Sequence, residues 1–145
     1  MSPPPADASV QQLALSARLL ECLGVPLSAI THFEALGDKL GAPIEGPRKL
    51  SPALTAWYNC LVTLDGDKTS SARPIEPRTL DAAVGRVRTL VDACQRVTRA
   101  LRRESSDEDE AALGIHDTEA RARSLLGALL IASMERSREA ERLRL

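Results

Sequence analysis

All nine prolines lie at or before Pro77, so the last 68 residues lack the strongest helix breaker. The chain therefore divides into a punctuated first half and a second half suited to long helices. Only Phe33, Trp57 and Tyr58 are aromatic, although 43% of the 145 residues are apolar. A core built from such a chain is made of Leu, Val and Ala, which favour helix over sheet. The expected fold is all-α, a helical bundle of four to five helices ending in a long antiparallel helical hairpin. A chain of this length buries about two thirds of its unfolded surface and fits one domain.

The expected organisation is a disordered Pro-rich N-terminus over residues 1–7 and a single helical domain over 8–145. Within that domain, short helices fill 8–64, a linker loop spans 65–77, and a long hairpin fills 78–145 around an acidic loop at 104–116. The first helix presents Val10, Leu13, Ala17 and Leu20 on one face, with Gly24 and Pro26 as stop signals. Ile30, Phe33, Leu36 and Leu40 recur at helical spacing and predict a second helix. A third, short helix is expected from "LSPALTAWYNCLVTL", with Ser51 as cap and Pro52 at the first helical position.

After Thr79, a candidate cap, Leu80, Val84, Val87, Val91, Cys94, Thr98 and Leu101 follow at spacings of 4, 3, 4, 3, 4 and 3. That is a seam of coiled-coil character with one polar interruption. Leu80, Val84, Val87, Val91, Cys94 and Leu101 are thus candidates for packing against a partner. The last helix is expected from about Asp117 to Arg142. It is apolar through Leu130 and almost wholly polar after Met134.

The net charge of −1 conceals segregation. Residues 71–103 carry +5, residues 104–120 carry −7, and residues 121–145 carry +3. Sixteen of the nineteen basic residues are Arg, the side chain suited to bidentate contact with carboxylate or phosphate. Arg88, Arg96, Arg99 and Arg103 fall on a broadly common side of the long helix and form a candidate charged face for an acidic partner. Arg78, Arg86 and Arg102 lie nearby. The same face supports an alternative reading as a nucleic-acid surface, although no aromatic side chains interleave for base stacking. The segment "LRRESSDEDEAAL" makes Ser105 and Ser106 candidate phosphorylation positions, between arginines and acids. Helix electrostatics accounts for the same letters, because cations suit a helix C-terminus, anions suit the next N-terminus, and Ser106 with Asp109 resembles a capping box.

Residues 65–76, "DGDKTSSARPIE", place oxygen side chains at positions 1, 3, 5, 7 and 12 of a calcium-loop template. Ser70 stands where glycine is needed, and Pro74 occupies position 10. No metal, cofactor or catalytic set is expected. His32 and His116 stand in no nucleophile–base motif, and Cys22, Cys60 and Cys94 are widely spaced without a CxxC. The remaining alternative is a small-molecule enzyme or sensor around Trp57, Tyr58 and His32. The leading expectation is a non-catalytic protein–protein interaction module, an adaptor or complex subunit, or a homodimer joined through the long C-terminal helices. Neither a signal peptide nor a membrane span is legible, which points to an intracellular protein of cytoplasm or nucleus.

Overall fold

The computed structural model describes residue 4 and residues 7–41, 47–70, 77–104 and 110–144. Five helices follow one another: α1 (Val10–Cys22), α2 (Pro26–Lys39), α3 (Pro47–Ser70), α4 (Pro77–Glu104) and α5 (Glu110–Arg144). No strand occurs among the described residues. The chain is an all-α helical bundle, and α4 and α5 pack along each other as a hairpin joined through residues 105–109.

Local chemistry sets the ends of α1. Ser9 Oγ accepts a hydrogen bond from the Gln12 backbone N–H, and Gln12 Oε1 accepts one from Ser9 N–H, so both partners of a capping box are present. At the other end Gly24 has φ of +74°, in the left-handed region that glycine enters without strain. Its N–H donates to Glu21 O while Val25 N–H donates to Leu20 O, the paired bonds of a Schellman termination. Pro26 then opens α2, where its missing N–H has no helical acceptor to lose. The two helices thereby form a tight hairpin, and Lys39 Nζ donates to Ala8 O across its open end.

The core joins α1 and α2 to the three longer helices. The expected faces of α1 and α2 point inward: Leu13 and Ala17 are buried, Val10 and Leu20 partly so, and Ile30, Phe33, Leu36 and Leu40 are all buried. Phe33 stacks on Trp57 with ring centroids 5.7 Å apart. Thr55 on α3 and Thr118 on α5 share a hydrogen bond of 3.0 Å between their hydroxyls, and Thr118 also donates to Gly114 O. Satisfying these hydroxyls locally lets polar side chains sit at a helix contact without an unpaired donor.

Several expected boundaries differ. The third helix is not short: it runs for 24 residues, starts at Pro47 and contains Pro52 in its interior. Ser51 is therefore a buried helical residue, not a cap. Pro52 is the sixth residue of α3, past the first turn, and forfeits one backbone hydrogen bond of the helix. The expected linker at 65–77 is shorter, because α3 continues through Ser70 and α4 begins at Pro77, which leaves Thr79 inside the helix. The acidic loop also contracts. Helix α5 starts at Glu110 and not near Asp117, so His116 and Asp117 are helical, and Asp117 pairs with Arg121 at 3.2 Å across one turn. Glu110 in the first turn of α5 complements its positive end, which favours helix at a residue that polarity assigns to loop.

Candidate functional site

The seam of α4 is the centre of the fold. Leu80, Val87, Val91, Cys94 and Leu101 are buried and Val84 is half-buried within the single chain. Leu90, Ala93 and Val97 are buried beside them, a second inward row beyond the seven seam positions. Two adjacent rows make a broad apolar stripe, wider than a coiled-coil seam, and they fit a helix that packs against α3 and α5 together. The residues expected to meet a partner are thus occupied by neighbours in their own chain. A second protein would reach them only by displacing α3 or α5.

The arginine face divides. Arg96 Nη1 donates to Gly37 O at 2.8 Å, so this side chain ties α4 to the C-terminal turn of α2. Arg86 Nε lies 2.9 Å from Glu34 Oε1 in a second α4–α2 contact. Arg88, Arg99 and Arg103 are exposed, with Arg102 beside them. Asp92, also exposed, stands one turn from both Arg88 and Arg96 and dilutes the positive face. Ser105 and Ser106 lie outside the described residues.

The remaining candidates are placed as follows. Asp65 to Ser70 continue α3, so the first six positions of the calcium template are helical and cannot wrap a cation as such a loop does; Ser71 to Glu76 lie outside the described residues. No cluster of three or more metal-ligating side chains occurs among the described residues. His32 Nδ1 is 2.9 Å from Ser28 O one turn earlier, and His116 is exposed on α5. Trp57 has no exposed surface, and its neighbourhood is filled by the Phe33 ring and by Gly37. Burial pushes the Cys94 thiol up to about 12, helped by the charge of Glu119, and the Cys60 thiol up to about 11, helped by Glu21. Both are held as inert packed thiols. Cys22 is exposed.

A feature outside these candidates dominates the surface. Leu15, Leu19, Leu23 and Leu27 follow at intervals of four residues and are 71%, 59%, 66% and 65% exposed. Isolated exposed leucines are ordinary, but Leu15, Leu19 and Leu23 follow one another along α1 and its C-cap as a patch, and Leu27 lies in the first turn of α2 beyond Gly24. Beside Leu15, between the first half of α1 and the start of α3, lies a half-open groove of about 470 Å³. Among the described residues, Leu15, Ala14 and Leu50 contribute its apolar surface, and Arg18 and Lys49 are its charged lining residues. A second apolar patch occurs on α5, where Ile131 and Met134 are 60% and 58% exposed. The four-residue spacing of the leucines is visible in the sequence, but the α1 expectation used the alternative stripe through Leu13 and Ala17.

No protein-family model matches the sequence, and neither a curated protein nor a solved structure matches it. No helix among the described residues is long and apolar enough to cross a membrane.

Proposed function

We propose that this protein is a non-catalytic helical interaction module, an adaptor or subunit that binds another protein by helix packing. The observation that supports this most is the row Leu15, Leu19 and Leu23 on α1 and its C-cap, with Leu27 at the start of α2, large apolar side chains left in water. Because the α4 seam is spent in that core, the binding surface belongs on α1 and the adjoining start of α2. The exposed Ile131 and Met134 on α5 offer a second contact.

The test is capture of partners by the full chain from its native cells, with and without nuclease, beside the variants Leu15→Glu/Leu19→Glu and Ile131→Glu/Met134→Glu. The reading expects a stoichiometric protein partner that survives nuclease and is lost in at least one variant. Capture that disappears with nuclease would transfer the function to nucleic-acid binding, the reading favoured by the exposure of Arg88, Arg99 and Arg103. In that case affinity would fall steeply with salt. Substituting Val87 or Val91 would not test association, because both are buried and an acid there would unfold the bundle.

A further inference from the structure

Building on the interaction-module reading, we propose that the α1 face is a docking site for an amphipathic helix with acidic flanks, supplied by a different protein. The apolar side of that helix covers Leu15, Leu19 and Leu23, and its carboxylates meet Arg18 and Lys49.

Three observations carry this. The exposed leucines repeat once per helical turn, which matches the anchor spacing of a helix laid along another. The groove beside Leu15 deepens the patch at one end, so an apolar anchor has a recess to fill. Among the described residues, the charged side chains lining that recess, Arg18 from α1 and Lys49 from α3, are both cations. Two cations at the rim of an apolar groove select anions through complementarity and repel a basic helix.

The same charges argue against a second copy of this chain as the occupant. A two-fold pairing of α1 with itself, centred near Leu19, places Leu15 against Leu23 of the other copy. It also brings the two Arg18 side chains together across the axis.

The probe is a display library of 18-residue amphipathic helices with fixed leucine anchors and flanks randomised among Glu, Lys and Gln, selected against the full chain. The proposal expects enrichment of Glu at the flanks. It further expects at least tenfold weaker binding of the winning peptides to Leu15→Glu/Leu19→Glu, and a reversal of preference toward Lys with Arg18→Glu/Lys49→Glu. Circular dichroism melts of both variants establish that they fold, and Leu15→Ser/Leu19→Ser serves if the acidic pair does not. No enrichment, enrichment without charge preference, or binding indifferent to both pairs would overturn it. So would a dimer in light scattering that Leu19→Glu converts to monomer, which assigns the face to a second copy. Failure here is distinct from failure of the broader reading. A cellular partner retained by the Leu15/Leu19 variant removes this site alone, whereas a wild-type chain that captures no protein removes the interaction function itself.

Discussion

Two glycine-to-alanine substitutions should move stability in opposite directions, although each adds one methyl group to a helix. Gly37 lies in the last turns of α2, where an added Cβ would stand 3.1 Å from Thr89 Cγ2 and 3.1 Å from the Trp57 ring. Gly85 lies in the interior of α4, exposed, and a Cβ there meets nothing within 4 Å. Alanine gains about 0.5–1 kcal/mol over glycine in a helix interior by restricting the unfolded chain. Gly85→Ala should therefore stabilise by about that amount. At Gly37 the same gain opposes an overpacking cost of about 1–3 kcal/mol, because Trp57 is pinned between this backbone and Phe33. The net result should be a loss of about 1 kcal/mol. The propensity contribution is common to both, so the gap between the two variants isolates the close approach of α2 to α3 and α4. Urea unfolding followed by fluorescence of Trp57, the single tryptophan, reads both the midpoint and any displacement of the ring. If Gly37→Ala gains as much as Gly85→Ala at unchanged slope, α2 does not pack this closely and the argument fails.

Other consequences follow from single contacts. Ser9→Ala removes the capping box of α1 and should cost about 0.5–2 kcal/mol in urea unfolding. Arg96→Met keeps most of the side-chain volume but removes the charged donor to Gly37 O; a loss of about 1–2 kcal/mol is expected, and an unchanged midpoint would show that the bond adds nothing over water. A double-mutant cycle of Thr55→Val and Thr118→Val should show coupling of about 0.5–1.5 kcal/mol, since each hydroxyl satisfies the other. In the native protein a thiol reagent should label Cys22 quickly and Cys60 and Cys94 only on unfolding. The raised thiols also set a pH dependence. Unfolded thiols ionise near 9.0 while the folded ones stay protonated to about 11 and 12, so the unfolded state sheds protons first and stability falls as pH rises through that window. Cys94→Ala should flatten this alkaline decline.

The inward faces of α1, α2 and α4 were legible because burial imposes the helical period on large apolar residues, as at Ile30, Phe33, Leu36 and Leu40. The helix ends were legible where backbone geometry demands one residue type, as at Gly24 and Pro26. They were misplaced where the signal was ambiguous. Pro52 reads as a first helical residue, yet α3 starts five residues earlier at another proline, Pro47, which offers the same signal. Glu110 reads as loop by polarity, yet it favours the first turn of a helix by charge. The split of the arginines was not legible at all. Arg96 and Arg88 occupy related positions on α4, and only the approach of Gly37 O and Glu34 from α2 separates the bonded arginines from the exposed ones.

Helix α1 poses the sharper question, because it carries two apolar stripes and turns the one that contains Ala14 and Ala17 inward. Leu13, Ala14 and Ala17 are buried, while Leu15 and Leu19 remain in water. Burying a leucine contributes about 1.5–3 kcal/mol, but the inward stripe also holds Leu13, with Val10 and Leu20 partly buried, so side-chain area alone does not choose between the two rotations of the helix. Close approach provides the reason for the observed one. Alanines at the contact let the α1 backbone come near α2 and α3, and the Schellman turn at Gly24 fixes the direction in which α2 departs. Rotating α1 to bury Leu15 and Leu19 in place of Ala14 and Ala17 would force the helices apart. The fold thus accounts for why the alanines are inside, but it places no demand on the outer positions. Polar residues there would serve the bundle equally well and keep the patch small. Leu15→Gln and Leu19→Gln should consequently leave the unfolding midpoint within about 0.5 kcal/mol of the original. A loss of more than about 2 kcal/mol would mean that these side chains are buried in solution, by the bundle itself or by a second copy, and the surface argument would fall with it.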